Sequence, residues 1–143
     1  MEKIGRVVYL NGEFVPEAEA KISIYDSALM FGDMVFEMTR SFNKKQFRLR
    51  EHLERLFLGL KILRIPMKMT IEELEKACLS TIEMNEPFFS ATDEHRLMIN
   101  VSRGQRRGQR RVRVEVSVEN KEGQEHRAVR GFIVSLVIVK VSV

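Results

Sequence analysis

The hydrophobic positions of this chain follow two different periods in its first hundred residues. Residues 7–15 hold two short apolar runs around an Asn-Gly pair, which accepts positive φ and favours a tight hairpin. The second part of the segment from Met30 to Phe42 is rich in strand-forming residues. The polar residues at 43–45 predict a turn, and residues 46–49 a further strand.

From Arg50 onward the apolar residues recur at three- and four-residue spacing, which predicts an amphipathic helix that ends near Pro66. These residues are Leu53, Leu56, Phe57, Leu60 and Leu63. Thr70 and Glu73 have the spacing of a capping box, so a second helix is expected to run to about Met84. A buried strand follows at residues 95–102. This order predicts an α+β fold, with two helices on one face of a mostly antiparallel sheet.

The composition changes sharply after Gly104. Leucine is frequent before this residue, whereas Leu136 is the only leucine after it and valine dominates. We therefore predict a domain at 1–104 and a basic, valine-rich, β-prone extension at 105–143. The extension is interpreted either as a divergent segment or as the product of a change in reading frame, and the sequence leaves both open.

The composition is typical of a globular protein, with 44% hydrophobic and 31% charged residues and a net charge of +4. A single cysteine, Cys78, excludes an internal disulfide and favours a reducing compartment. No signal-peptide core follows Met1, and the longest apolar run is too short to span a bilayer. The prediction is a soluble cytoplasmic protein that has no membrane partner.

A dense run of arginines begins at the end of the last predicted strand and suggests contacts to nucleic-acid phosphates. Its members are Arg103, Arg106, Arg107, Arg110, Arg111 and Arg113. No aromatic residue that could stack on bases lies between Phe89 and Phe132. A solvated loop is therefore favoured. A nucleic-acid-binding module through Arg103–Arg113 is kept as an alternative function, as is an inactive dimerising remnant.

Three segments, in order, resemble the class IV aminotransferase family. They are Phe31-Gly32-Asp33-Met34-Val35-Phe36-Glu37, Glu51-His52-Leu53-Glu54-Arg55-Leu56 and Val101-Ser102-Arg103-Gly104. The resemblance implies the small N-terminal domain of a fold type IV enzyme, pyridoxal 5'-phosphate as cofactor, and a homodimer. It also implies transfer of an amino group between an amino acid and a 2-oxo acid such as 2-oxoglutarate. Residues 31–33 are closer to the D-amino-acid enzymes and residues 35–37 to the branched-chain enzymes, so a branched-chain substrate is only slightly favoured.

The same resemblance implies roles for three side chains. Arg55 corresponds to the arginine that holds the cofactor phosphate, and a guanidinium fork suits that anion. Phe36 would form an apolar wall for the substrate side chain. Arg40 lies four residues further along the strand, on the same face, and would assist a carboxylate or brace the pocket. The simpler alternatives are that Arg55 is a solvated helix charge and that Phe36 belongs to the core.

The family's catalytic lysine is expected beyond the Ser-Arg-Gly segment, where only Lys121 and Lys140 follow. Neither has a matching sequence context, so no catalytic residue is assigned. The chain is therefore expected to be truncated, inactive alone, and weak or lacking in cofactor binding. The three histidines lack metal-ligand spacing, so no metal site is predicted; His52 is interpreted as a packing or hydrogen-bonding residue.

Overall fold

The computed structural model describes residues 5–105 and the strand at residues 133–140. Within these residues it contains six strands, three α-helices and two short 3-10 turns. In chain order they are β1 (Val7–Leu10), β2 (Glu13–Pro16), a 3-10 turn (Glu17–Glu19), α1 (Ser27–Phe31), β3 (Met34–Phe42), β4 (Lys45–Gln46), α2 (Leu49–Ile62), α3 (Ile71–Asn85), a 3-10 turn (Glu86–Phe88), β5 (His95–Ser102) and β6 (Ile133–Lys140).

The described strands form one sheet in the order β2-β1-β6-β5-β3-β4. Three of their pairs are antiparallel, namely β1 with β2, β3 with β4, and β3 with β5. The predicted α+β class and antiparallel pairing are confirmed. Strand β6 makes the sheet mixed, because it runs parallel to both β1 and β5. The rest of the valine-rich extension, including Lys121 and Arg106–Arg113, lies outside the described residues. The division at Gly104 stays a prediction.

Both main helices begin and end close to where the sequence places them. Thr70 caps α3 with the predicted capping box, since its hydroxyl accepts from the Glu73 N–H and the Glu73 carboxylate accepts from the Thr70 N–H. The strand predicted at 46–49 is shorter than expected. Arg48 adopts the left-handed region with φ of 49°, and α2 begins at the next residue. The chain therefore leaves the sheet after two strand residues.

The core lies between the two long helices and one face of the sheet. Its buried members carry apolar side chains from the inner sides of the helices, from the strands, and from the segment after α2. They are Tyr9, Leu49, Leu53, Leu56, Leu60, Ile65, Leu74, Ala77, Cys78, Leu97, Ile99 and Val101. Burial raises the pKa of the Cys78 thiol to about 12, with a smaller contribution from Glu75. This cysteine therefore stays protonated and serves as a packing residue.

Among the described residues, none of the helices combines the length and the apolar character that crossing a bilayer requires.

Candidate functional site

Two of the three motif segments meet at one end of β3 and β5. The Arg103 guanidinium binds the Asp33 carboxylate through two hydrogen bonds, Nε to Oδ2 at 2.7 Å and Nη2 to Oδ1 at 3.3 Å. The same guanidinium donates to the main-chain oxygens of Leu63 and Arg64, each at 2.9 Å. These oxygens follow the C-terminus of α2, where a cation is favoured. Arg103 therefore has a structural role, because it connects the end of β5 to Asp33 and to the end of α2.

The Phe-Gly-Asp segment requires a left-handed residue at its centre. Gly32 closes α1 with φ of 67°, and its N–H donates to Ala28. A β-carbon built on Gly32 would meet no atom within 4 Å. Any penalty of a side chain at this position is therefore conformational rather than steric.

Replacing Gly32 by alanine is expected to lower the free energy of unfolding by about 1 kcal/mol, because an L-residue is disfavoured at positive φ. Urea unfolding followed by circular dichroism measures the change. Gly5→Ala is the matched control, since Gly5 has open surroundings and no positive φ. Equal stability of the two variants would contradict the conformational argument.

The second motif contact joins β3 to α2 through Glu37. Arg55 donates to this carboxylate twice, from Nε to Oε1 at 2.5 Å and from Nη2 to Oε2 at 2.7 Å. The His52 Nδ1 atom lies 2.8 Å from Oε2. Because His52 and Arg55 are three residues apart, α2 presents both on the same side. The Glu37 side chain is 7% exposed, whereas the Arg55 side chain is 68% exposed.

Glu37 and Arg55 each stabilise the charged form of the other. The hydrogen bonds from Arg55 lower the pKa of Glu37; burial opposes this shift, and His52 assists it. The Glu37 carboxylate in turn raises the pKa of Arg55. The carboxylate and the guanidinium are therefore both ionised near neutral pH. A cation held by Glu37 remains at the surface, with much of the Arg55 side chain in contact with solvent.

Phe36 and Arg40 lie together on the other face of β3. Glu37, Thr39 and Ser41 point toward the helices and are buried. Alternation therefore places Phe36 and Arg40 on the face that α2 and α3 do not cover. Phe36 is 58% exposed, which does not fit a core role within the described residues. The Arg40 guanidinium stacks on Phe42, 4.4 Å from the ring centroid.

The two faces meet at the outer edge of β3. Strand β4 pairs only with Ser41 and Phe42, so among the described residues no outer strand pairs with the stretch from Met34 to Thr39. A ligand lying along this edge would have Phe36 on one side and Arg55 on the other. The structure thus places Phe36 and Arg40 on one face of β3 and Arg55 on the side of the other face. Among the residues that the structure describes, no strand covers the edge between them.

Two residues of this region had no assigned role in the sequence. Glu37 was part of a motif, but its part in holding Arg55 depends on the packing of α2. The alternation of apolar and polar residues along β3 could have indicated this role. It places Glu37 on the buried face, where a carboxylate needs a cationic partner. Arg96 lies directly across from Arg40 on β5 and adds a second guanidinium to that face. Its pairing depends on strand register, which local sequence patterns do not specify.

An exposed, pre-oriented guanidinium fits a phosphate monoester dianion, because a planar fork can donate two parallel hydrogen bonds to it. Arg55 is therefore a residue that could hold a phosphate group. An apolar wall and two arginines on the neighbouring face suit a small amino acid or 2-oxo acid. Lys140 lies opposite Ser102 in the strand register, at the end of the sheet that also holds Arg103.

These observations define an α+β domain in which an exposed arginine, suited to bind an anion, lies beside a strand edge. Residues 34–143 match the family model described as amino-transferase class IV. The chain belongs to this family.

Among its relatives is a Methanocaldococcus jannaschii protein with a provisional branched-chain-amino-acid aminotransferase name. It is 42% identical over 78 residues, which is 54% of this chain and 27% of that protein. A D-alanine aminotransferase of Staphylococcus aureus is 37% identical over 86 residues, covering 60% and 29% of the two chains. The matched part of the chain thus covers little more than a quarter of the length of these relatives.

The fold is also similar to that of a T.th. branched-chain amino acid aminotransferase, solved in complex with N-(5'-phosphopyridoxyl)-L-glutamate. The TM-score is 0.54 at 36% identity, and the match covers 57% of this chain and 29% of that one. The family expected from the three motifs is therefore confirmed.

Proposed function

We propose that this chain supplies the phosphate-binding and substrate-facing side of a pyridoxal 5'-phosphate-dependent aminotransferase. The reaction is transfer of an amino group between an amino acid, with a branched-chain substrate favoured, and a 2-oxo acid such as 2-oxoglutarate. The observation that carries the proposal is the Arg55 guanidinium, which Glu37 holds at two points while 68% of the side chain stays exposed.

The assigned roles follow the chemistry of each side chain. Arg55 binds the phosphate of the cofactor, which when bound supplies the electron sink that amino-group transfer requires. Phe36 contributes an apolar surface to the substrate side chain, and Arg40 directs a cation toward its carboxylate. The complex of the T.th. relative with a phosphopyridoxyl amino acid supports the cofactor class. The branched-chain names among the relatives support the apolar substrate.

The catalytic amine is left unassigned in this proposal. The lysines after Gly104 are Lys121 and Lys140, and we assign the catalytic role to neither. We propose that the chain alone is inactive in transamination and binds the cofactor weakly. A homodimer, as is expected for the family, is part of the same proposal. A saturating cofactor absorbance band from the purified chain, with amino-group transfer activity, would contradict the inactivity.

Replacing Arg55 by alanine is expected to weaken binding of a phosphorylated cofactor analogue about ten- to hundredfold, because a charge-assisted hydrogen-bonded contact to the phosphate is lost. The probe is 4-deoxypyridoxine 5'-phosphate, which has no aldehyde and cannot react with surface lysines. Binding is measured by the change in its fluorescence on titration with the full chain.

Arg50→Ala is the matched control, because Arg50 lies on the same helix but binds Glu72 and Glu75 at 2.9 Å and 2.6 Å. It is expected to bind the probe as the unmodified chain does. Binding of 4-deoxypyridoxine, which lacks the phosphate, should be the same for both variants. Full affinity in Arg55→Ala would remove the phosphate role from Arg55.

The nucleic-acid alternative receives no support from the described part of the arginine run. Arg103 is bound to Asp33 and to two main-chain oxygens, so its guanidinium is engaged within the fold. The other arginines of the run lie outside the described residues.

A further inference from the structure

Glu37 occupies an unusual place for a carboxylate. It lies on the helix-facing side of β3, is almost fully buried, and has a cation or imidazole against each of its oxygens. It accepts two hydrogen bonds from Arg55, and the His52 ring nitrogen lies at 2.8 Å from Oε2. A buried carboxylate that is incompletely paired would be costly. Burial of the Glu37 carboxylate therefore depends on both Arg55 and His52 of α2.

We propose that Glu37, braced by His52, is a positioning residue that fixes the Arg55 guanidinium with its outer edge toward an incoming phosphate. This inference rests on the phosphate role proposed for Arg55 and adds the means by which the guanidinium is oriented. Glu37 itself does not touch the ligand.

The atoms that each contact uses favour positioning over competition. Glu37 engages Nε and one hydrogen of Nη2, which form one side of the planar fork. Nη1 makes no hydrogen bond to any of the described residues. Arginine carries five N–H donors, so the pair with Glu37 leaves donors that point away from the carboxylate. Because 68% of the side chain is exposed, we infer that a ligand reaches Arg55 at this remaining edge.

Two opposing effects decide whether Glu37 helps or hinders an anion. Its negative charge repels the phosphate, but the ligand would lie on the solvent side, where the effective dielectric constant is high and the repulsion is small. An unrestrained arginine would lose its rotamer freedom on binding, and Glu37 removes much of that cost in advance. We therefore expect the gain from ordering to exceed the repulsion, so that Glu37 strengthens binding.

His52 contributes by holding the carboxylate from a second direction. Its Nδ1 atom is 3.4 Å from Nη2 of Arg55 as well as 2.8 Å from the carboxylate. The side chain is 21% exposed, so it separates the pair from solvent on one side. Without it, the carboxylate would keep Arg55 but could rotate about its own side-chain torsions.

The test compares Glu37→Gln and Glu37→Asp with the unmodified full chain, using 4-deoxypyridoxine 5'-phosphate as probe. Both variants are expected to bind about five- to tenfold more weakly, because the guanidinium is no longer fixed at two points. The aspartate variant keeps the negative charge but is one methylene shorter. It therefore distinguishes the effect of side-chain length from the effect of charge. The Arg55 Nε–H signal in ¹⁵N NMR spectra reports the orientation directly and should lose its distinct shift in both variants.

Glu75→Gln is the matched control, since it breaks a similar ion pair of α2, with Arg50 at 2.6 Å, away from the site. It is expected to bind the probe normally and to leave the Arg55 signal unchanged. Circular dichroism of every variant establishes that the fold is kept. If a Glu37 variant fails to fold, His52→Gln, with an expected weakening of a few-fold and a broadened Arg55 signal, takes its place.

The outcomes separate this inference from the function on which it rests. Tighter or unchanged binding in Glu37→Gln, together with loss of binding in Arg55→Ala, would overturn the positioning role and leave the phosphate role of Arg55 intact. Phosphate-independent binding, or no binding by the unmodified chain, would overturn the phosphate role and the positioning role together. Weakening by both Glu37 variants with an altered Arg55 signal supports the inference.

Discussion

Replacing Leu56 by alanine is expected to lower the free energy of unfolding by about 3 to 5 kcal/mol. Leu56 is fully buried at the centre of the core, where it belongs to the same cluster as Leu53, Leu74 and Ile99. The substitution removes the branched end of a side chain from between α2 and the sheet. Because residues of both long helices and of β5 surround the site, the structure can close the resulting cavity only in part.

Urea unfolding followed by circular dichroism and by tyrosine fluorescence measures this loss. Leu58→Ala is the matched control, since Leu58 lies two residues away on the same helix but is 57% exposed. Its substitution is expected to change the free energy of unfolding by less than about 1 kcal/mol. Similar losses in the two variants would show that α2 does not pack on the sheet through the Leu56 face.

Replacing Asn85 by alanine is expected to cost about 2 to 4 kcal/mol of folding free energy. This side chain is 1% exposed and connects the end of α3 to β1. Its Oδ1 accepts from the Val7 N–H at 2.8 Å, and its Nδ2 donates to the carbonyl oxygens of Val7 and Thr81 at 2.9 Å and 2.8 Å. Alanine would leave both main-chain groups of Val7 buried without this partner.

The same unfolding experiment measures the loss, and hydrogen exchange of the Val7 amide reports where it arises. Asn85→Asp is expected to be destabilising too, because it keeps the acceptor but loses both donors and buries a charge. Glu83→Ala, an exposed position on the same helix, is the control and should be near neutral. Unchanged protection of the Val7 amide in Asn85→Ala would contradict the proposed link.

The helices were predictable because their signals are local. The spacing of apolar residues from Arg50 to Leu63 fixes which side of α2 is buried, and Leu53, Leu56 and Leu60 are buried as expected. The capping box of Thr70 and Glu73 lies within one helical turn, so it could be identified from the sequence. The short strand at 45–46 was less predictable, because the turn into α2 depends on a left-handed Arg48.

The candidate site was predictable only in part. The motif order pointed to Arg55 and Phe36, but nothing in the motifs indicates that the two side chains lie on opposite sides of β3. That relation follows from which face of β3 receives α2. The partners of each arginine are likewise set by packing, since Arg55 pairs with a residue 18 positions earlier and Arg103 with one 70 positions earlier.

By itself, the sequence determined the class of the fold, the two long helices, the cap of α3 and the family, because each depends on short-range spacing or on ordered motifs. Only the tertiary structure decided that β6 lies between β1 and β5, that Arg96 faces Arg40, and that a buried Glu37 pairs with Arg55. These are contacts between residues far apart in the chain. They are selected by the way the helices cover one sheet face, where burial makes an unpaired charge costly.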